Sequence, residues 1–250
     1  MPERFIEMGY WEIITRQMSI VTKSQQTRFK ESKIAVVGCG GLGGSVIEML
    51  ARMGAGKLVI IDKDSFCMSN LNRQLMSSID SLGRSKSEVT KEKVRLINPY
   101  VAVEAYNEEL NEDNIEKVLS DCDVVIDALD NLATRVLISR YTQENKIPFV
   151  HGAIHGTLGQ LSVFNEKTPS YEELFSLPSE GKELNETTKL ELGELSKEIP
   201  PVIGPIANII GSLEAFESFK LITTIGTITF APKVLNIDLL DLGSFSILEL

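Results

Sequence analysis

The sequence predicts an α/β fold with a doubly wound sheet, parallel in its N-terminal half and antiparallel in its C-terminal half, preceded by an N-terminal helical arm. Two observations support this prediction. Up to Pro148, short apolar runs rich in β-branched residues alternate with segments of helical periodicity, which is typical of parallel strands joined by helical crossovers. After Pro148, two apolar runs follow each other with only a glycine-containing turn between them, which is typical of antiparallel strands.

The 250 residues are expected to form a single domain with three parts. Residues 1–32 form the helical arm, residues 33–148 a nucleotide-binding half, and residues 149–250 a substrate-binding half. Within the last part, residues 167–201 are polar and rich in glutamate, which predicts a long crossover loop that carries one helical piece.

The individual elements follow from periodicity, in chain order. The arm shows apolar side chains at helical intervals over Phe5–Ile20 and a second short helical segment over Gln25–Glu31. Strands are predicted over Lys33–Val37, Leu58–Ile61, Asp123–Ile126, Phe149–Ile154, Gly159–Phe164, Val234–Leu239 and Ser244–Leu248. Helices are predicted over Ser45–Met53, Ser85–Ile97, Asn114–Leu119, Thr134–Asn145, Tyr171–Leu177 and Ile203–Ile222.

Charge and composition argue against several classes of function. The formal net charge of -10 argues against a nucleic-acid-binding surface, since phosphate contacts need clustered lysine and arginine. The first residues lack the pattern of a secretory signal, and charged side chains interrupt the longest apolar stretch, so no membrane span is expected. The three cysteines, Cys39, Cys67 and Cys122, form no C-x-x-C pair, which predicts no zinc site and a reducing, cytoplasmic location.

A glycine motif marks the first candidate site. Gly38, Gly40 and Gly43 form G-x-G-x-x-G between a predicted strand and a predicted helix, where backbone N–H groups can contact phosphate. Asp62 ends the next strand, nineteen residues after Gly43, where a carboxylate can accept hydrogen bonds from the ribose hydroxyls. This Rossmann-like pattern alone predicts a nucleotide site, and nicotinamide or flavin enzymes are its commonest owners.

The polar segment after Asp62 favours a different chemistry. Asn70, Arg73 and Gln74 follow the ribose-binding carboxylate, and a hydride-transfer site has no need of them. Six motifs, in order along the chain, resemble the ThiF/MoeB/HesA family of the ubiquitin-activating-enzyme superfamily. They are RQ at 16–17, GCGGLGG at 38–44, SNLNRQ at 69–74, GRSK at 83–86, DALDN at 127–131 and IGSLEAFESFK at 210–220.

The resemblance implies an adenylyltransferase that uses ATP and Mg²⁺ to convert a carboxylate into its acyl-AMP, with release of pyrophosphate. Arg73 and Lys86 match the family residues that neutralise the charge of the reacting phosphates. Asp130 matches the residue associated with the magnesium ion, and Asn70 would help to orient the phosphates. Arg16 matches an arginine that reaches the triphosphate from the partner subunit, so the resemblance implies a homodimer.

The nucleotide site implied by these motifs is larger than the catalytic set. It comprises Gly38, Gly40, Gly41, Gly43, Asp62, Asp64, Asn70, Arg73, Lys86, Asp130 and Asn131. Taken singly, Arg73 or Lys86 is more often a solvated surface group, and Asp130 could equally be the N-cap of the following helix. Their joint occurrence behind a glycine loop favours the catalytic interpretation.

The substrate pocket is the part that the sequence describes least. His151 and His155 flank Gly152 directly after a predicted strand end, on the side where the adenylate should form. One interpretation is that one of these histidines contacts or protonates the substrate. The other is that they are hydrogen-bonded packing residues, and the sequence leaves both open.

The chain also departs from the family. It lacks the C-x-x-C pairs that hold zinc and has no cysteine in residues 167–201, so we expect adenylation without a self-thioester and a separate thiol-bearing acyl acceptor protein. Segments Glu3–Gln17 and Phe149–Gly156 resemble a branch that adenylates the carboxylate of guanylylpyridinol in mono-iron hydrogenase cofactor biosynthesis. The alternatives are adenylation of the C-terminal Gly-Gly of a ubiquitin-like sulfur-carrier protein and a non-catalytic nucleotide-binding scaffold.

Overall fold

The computed structural model describes residues 9–197 and 200–249, apart from the side chain of Leu242. Part of the predicted arm helix over Phe5–Ile20 therefore lies outside the described residues. Where the arm is described, it forms a four-residue helix, a short 3₁₀ helix at Thr15–Gln17 and a second helix. Two further 3₁₀ helices lie at Met68–Asn70 and Ile79–Ser81.

All strands of the described residues belong to one mixed sheet. The strands are β1 (Lys33–Val37), β2 (Lys57–Ile61), β3 (Ala102–Tyr106), β4 (Val124–Asp127), β5 (Phe149–His155), β6 (Leu158–Phe164), β7 (Lys233–Asp238) and β8 (Asp241–Glu249). Their order across the sheet is β3-β2-β1-β4-β5-β6-β7-β8. The helices are α1 (Tyr10–Ile13), α2 (Lys23–Glu31), α3 (Gly41–Met53), α4 (Lys86–Ile97), α5 (Ile115–Leu119), α6 (Leu132–Glu144), α7 (Tyr171–Leu174), α8 (Glu186–Leu195) and α9 (Gly204–Thr223).

The predicted change of strand direction is confirmed at β5. Strands β1 to β5 pair in parallel, whereas β5–β6, β6–β7 and β7–β8 pair antiparallel. Val37 at the end of β1 pairs in register with Ile61 of β2 and with Asp127 of β4. The carboxyl ends of these three strands therefore meet at one edge, and the strand order reverses at β1, where α/β sheets bind ligands.

The parallel strands are buried on both faces, which explains their nearly continuous apolar sequences. Ile34 and Val36 point into a core shared with α3 and α9, whereas Ala35 and Val37 point into a core shared with α6 and α8. None of the helices within residues 9–197 and 200–249 is both long and apolar enough to cross a membrane.

Three features differ from the sequence-based expectation. Strand β3 was not predicted, because its sequence AVEAY carries Glu104 and lies at the edge of the sheet, half-buried. The described part of residues 167–201 contains two helices where one was predicted, since α8 packs Leu192 into the core beneath α6. Helix α3 also begins at Gly41, four residues before its predicted start, because the glycine loop itself supplies the first helical turn.

Candidate active site

A cavity of about 390 Å³ opens at the carboxyl edge of the parallel strands. Of the predicted site residues, it brings together Gly38, Gly40, Gly41, Asp62, Asp64, Arg73, Lys86, Asp130, Asn131 and His155. Gly43, Asn70, His151 and Arg16 do not line it. Most of the predicted nucleotide site is therefore one physical site, and the remaining four residues need separate explanations.

The glycine loop has the close packing that only glycine permits. Gly38 has a φ of 104°, in the left-handed region, and a Cβ there would lie 2.5 Å from the carbonyl oxygen of Ala128. A Cβ on Gly43 would lie 1.9 Å from the carbonyl oxygen of Gly38. Gly43 thus lets α3 start against β1, and Gly40, the N-cap of α3, offers no side chain to cover the first-turn amides. These amides can bind an anion in the cavity.

Asp62 is held rigidly at the end of β2. Its Oδ2 accepts a hydrogen bond from the backbone N–H of Cys39 at 2.7 Å, and its Oδ1 accepts one from Asp64 at 2.8 Å. Burial raises the pKa of this carboxyl, while the nearby Lys86 ammonium acts in the opposite direction. Asp62 therefore links the glycine loop to β2 and still has lone pairs that can accept ribose hydroxyl groups.

Two predicted cations reach the cavity from different elements. Lys86 begins α4, its side chain is only 9% exposed, and its Nζ lies 2.9 Å from Oδ2 of Asp64. Arg73 donates from Nη1 to the carbonyl oxygen of Ser69 at 2.8 Å and to Oδ1 of Asn72 at 2.9 Å. Among the described residues, only Nη1 of Arg73 is engaged, so its Nε and Nη2 can bind a ligand. The cavity can therefore place two positive charges beside a polyanion.

Asp130 lies in the turn between β4 and α6, and its exposed carboxylate lines the cavity. The alternative that Asp130 caps α6 is wrong, because Asn131 is the N-cap and its Oδ1 accepts the N–H of Thr134 at 2.9 Å. Asn131, which was predicted as a nucleotide contact, is therefore the N-cap of α6. The carboxylate of Asp130 is left to face the cavity.

Asn70, which was predicted to orient the phosphates, does not line the cavity. It is buried, and its Oδ1 accepts the backbone N–H of Cys67 at 3.0 Å within the 3₁₀ turn that precedes Arg73. Asn70 therefore supports the loop that presents Arg73, and its part in orienting the phosphates stays a prediction. Arg16 is exposed on the arm, away from this cavity, so its predicted role from a partner subunit stays a prediction.

The two histidines have different environments. His151 is fully buried, and its Nδ1 lies 2.8 Å from Oδ2 of Asp127, which favours the packing alternative for this residue. Burial lowers the pKa of His151, which favours the neutral ring. His155, four residues further along β5, is exposed at the cavity wall. Even spacing along a strand puts both on one face, and the end of β5 extends beyond the core.

Sequence reasoning missed several cavity residues. Glu108, Glu109 and Leu110 follow β3, and Lys63 pairs with Glu109 at 2.8 Å, but without β3 this segment had no place in the predicted sheet. Arg135 was also missed, because a single arginine in an amphipathic helix gives no signal. The DALDN motif was the only sequence sign of its partner, Asp127.

The residues present fit ATP with magnesium. Apolar side chains of Val37, Ile61, Leu110 and Leu129 line the cavity and can contact a purine, while the glycine-loop amides and two cations suit phosphates. Within the described part of the chain, no three or more His, Cys, Asp or Glu side chains group as a metal site. A magnesium ion bound mainly through phosphates needs only one or two carboxylates, which Asp130 can supply. The expected lack of zinc stays a prediction.

Comparison with known proteins agrees with this geometry. The sequence profile of the ThiF family matches residues 14–250. The chain is 32% identical over 227 residues to the molybdopterin-synthase adenylyltransferase of Haemophilus influenzae, with 88% of each chain covered. It is 35% identical over 206 residues to the SAMP-activating enzyme E1 of Haloferax volcanii, covering 82% of this chain and 72% of that protein.

Solved structures share the fold. Escherichia coli MccB, in its crystal structure with ATP, aligns with a TM-score of 0.78 at 21% identity, over 99% of this chain and 78% of the MccB chain. In the MccB structure with succinimide, the alignment has a TM-score of 0.74 and spans 65% of the MccB chain. The profile match and the sequence identities show that the chain belongs to the ThiF family and is an enzyme of its adenylyltransferase type.

Proposed function

We propose that this enzyme activates a carboxylate with ATP, forming an acyl-adenylate and pyrophosphate. One carboxylate oxygen attacks the α-phosphorus, and the bond from that phosphorus to the bridging oxygen of the β-phosphate breaks, so pyrophosphate leaves with the electron pair. The observation that carries the proposal is the convergence of Arg73 and Lys86 on the cavity beside the glycine loop. Two cations at this point stabilise negative charge on reacting phosphates, which a hydride transfer does not need.

Each part of the cavity has a role in this reaction. The amides of the glycine loop bind phosphate, and Asp62 accepts the ribose hydroxyls. Arg73 and Lys86 neutralise the charge that develops on the α-phosphate and on pyrophosphate. Mg²⁺, when bound, supplies further charge neutralisation at the phosphates, and Asp130 is the carboxylate that would hold it. These four side chains argue against a non-catalytic scaffold, which would not need them together.

The carboxylate substrate needs room beside the nucleotide. A second open cavity of about 450 Å³ adjoins the first and shares Ala153, Ile154 and His155 with it. Its walls also include Leu158 of β6 and Asp238 of β7, so it combines apolar surface with hydrogen-bonding groups. A substrate that reaches from this cavity would place its carboxylate near the α-phosphate.

We infer guanylylpyridinol as the substrate, as in HcgE-type enzymes, from the segments Glu3–Gln17 and Phe149–Gly156 and from the lack of cysteine in residues 167–201. A thiol-bearing protein would then accept the acyl group. The second candidate is the C-terminal Gly-Gly of a sulfur-carrier protein. It is supported by a relative named sulfur carrier protein adenylyltransferase, from Thermus thermophilus, 33% identical over 219 residues. Both candidates include a homodimer in which Arg16 of one subunit reaches the triphosphate bound to the other.

Mass spectrometry of reaction products tests the substrate. The purified protein is incubated with ATP and Mg²⁺ and, in separate samples, with guanylylpyridinol or with a carrier protein ending in Gly-Gly. An adenylated pyridinol supports the first candidate, whereas an adenylated carrier terminus supports the second. Lys86→Ala is the control, since it should slow formation of either product by at least about 30-fold while keeping the fold; no adenylate with either substrate would contradict both.

A further inference from the structure

A buried network of side chains supports the turn between β4 and α6, residues 127–131, which carries Asp130. Asp127 is fully buried, and its Oδ1 accepts the N–H of Leu129 at 3.0 Å. Its Oδ2 lies 2.5 Å from Nε of Arg135 and 2.8 Å from Nδ1 of His151. Arg135 also donates from Nη2 to the carbonyl oxygen of Leu129 at 2.6 Å. Both backbone polar groups of Leu129 are therefore bonded within this network.

Asp130 lies between two fixed residues. Leu129 precedes it and is held by Arg135 and Asp127. Asn131 follows it and is held as the N-cap of α6. The carboxylate of Asp130 faces the cavity, so its position depends on backbone contacts that it does not make itself.

The guanidinium of Arg135 also contacts the start of the crossover segment, residues 167–201. The hydroxyl of Tyr171, the first residue of α7, lies beside Arg135, and the Tyr171 ring lies 4.9 Å from the ring of His151 between centroids. Both Arg135 and Tyr171 are buried, with 8% and 3% exposure. Arg135 is thus the point where α7 and the Asp130 turn meet.

We propose that Arg135 is a positioning residue that sets the place of Asp130 and couples it to the seating of α7. The planar guanidinium bonds Asp127 and Leu129 at the same time while it lies against Tyr171, which a lysine ammonium on a flexible stem could not reproduce. This inference rests on the proposed role of Asp130 in binding magnesium-ATP. A shift of α7 would move the guanidinium and, through Leu129, the carboxylate.

Arg140 provides a matched control on the same helix. It binds Glu172 of α7 through two hydrogen bonds of 2.7 Å and the carbonyl oxygen of Ser179 at 2.9 Å. Arg140 therefore anchors the same segment to α6, but it makes none of the contacts with the Asp130 turn. If Arg135 only stabilised the fold, Arg135→Lys and Arg140→Lys would have the same kind of effect.

The test measures how much Mg²⁺ strengthens ATP binding. ATP is titrated calorimetrically into wild-type protein and into Arg135→Lys, Arg140→Lys, Tyr171→Phe and Asp130→Asn, each with Mg²⁺ and with EDTA. Melting temperatures report the stability of each variant. The quantity compared is the dissociation constant for ATP in EDTA divided by the dissociation constant in Mg²⁺. A lost supporting contact to a metal-binding group typically lowers metal affinity by about 10-fold or more, which lowers this ratio.

We expect Arg135→Lys to lower this ratio by about 10-fold, towards that of Asp130→Asn. The ratio cancels any change in ATP affinity that does not depend on Mg²⁺, so a direct contact of Arg135 with the nucleotide would not produce this effect. Tyr171→Phe should lower it in the same direction, and Arg140→Lys should not change it. An unchanged ratio in Arg135→Lys, or equal losses in Arg135→Lys and Arg140→Lys, overturns the inference. If Arg135→Lys does not fold, the ratio measured for Tyr171→Phe decides, and an unchanged ratio overturns the inference. If Asp130→Asn keeps the wild-type ratio, the proposed role of Asp130 itself fails.

Discussion

Replacing Gly43 by alanine should damage both the fold and the nucleotide site. The new methyl group would lie 1.9 Å from the carbonyl oxygen of Gly38, and that oxygen belongs to backbone that cannot rotate away. Overpacking of this kind costs about 3 kcal/mol, against a gain of about 1 kcal/mol for alanine over glycine within a helix. The net loss of about 2 kcal/mol corresponds to a fall in melting temperature of about 4–8 °C for a chain of this size.

Gly44 is the matched control. It lies next to Gly43 in α3, but a Cβ there would lie 3.4 Å from Cγ of Met76 and 3.6 Å from the backbone nitrogens of Leu75 and Met76, which are ordinary contacts. Gly44→Ala should therefore leave the melting temperature unchanged or raise it slightly, through the higher helix propensity of alanine.

Thermal unfolding and calorimetric titration with ATP measure both effects. In Gly43→Ala the start of α3 must move away from β1, which disturbs the amides that face the cavity. We expect ATP affinity to fall by about tenfold, the effect of losing one hydrogen bond to a charged group. A Gly43→Ala protein with wild-type melting temperature and ATP affinity would refute the claim that this glycine is required by backbone contact.

Other expected outcomes concern charge and protonation. Arg73→Ala and Lys86→Ala should each remove about 2 to 4 kcal/mol of transition-state stabilisation, measured as kcat/KM for adenylate formation; full activity would contradict the assignment. Iodoacetamide should modify Cys67 before Cys122, with a pH midpoint below that of an ordinary thiol. Cys67 is exposed, and a hydrogen bond with a serine lowers its pKa, whereas burial raises the pKa of Cys122 to about 11. Faster labelling of Cys122 would contradict this. Burial raises the pKa of Glu214 well above its ordinary value. The wild type should thus lose stability relative to Glu214→Gln as pH rises above about 4.3, in urea unfolding; a pH-independent difference would argue against it.

The sequence predicted the parts of the site that are local in the chain. One strand–helix–strand unit and the loop after it contain the glycine loop, Asp62 and the segment up to Arg73. Their order in the chain therefore places them at one edge of the sheet. Asp130 lines the cavity because it follows the end of β4, which the apolar run before it marks. Its assignment to magnesium came from the family resemblance and stays a prediction. The resemblance to the family added Lys86, whose side chain is buried and would otherwise be unexpected for a lysine.

The missed parts depend on contacts between distant elements. Strand β3 alternates small, apolar and charged residues at a sheet edge, and without it the cavity wall at Glu108 and Glu109 could not be placed. The face on which His151 lies is set by its register with Asp127 across β4 and β5, which no local pattern reports. Arg135 contacts Tyr171, which lies 36 residues further along the chain, and no local pattern indicates this contact.

Transfer of an oxygen atom tests the central claim, acyl-adenylate formation, most directly. The carboxylate substrate, guanylylpyridinol or the carrier terminus, is labelled with ¹⁸O in its carboxyl group and incubated with ATP, Mg²⁺ and a thiol acceptor. Attack of the carboxylate on the α-phosphorus predicts that AMP, analysed by mass spectrometry, carries one ¹⁸O atom and that pyrophosphate carries none. Release of ADP, or of AMP without label, would contradict the proposed reaction.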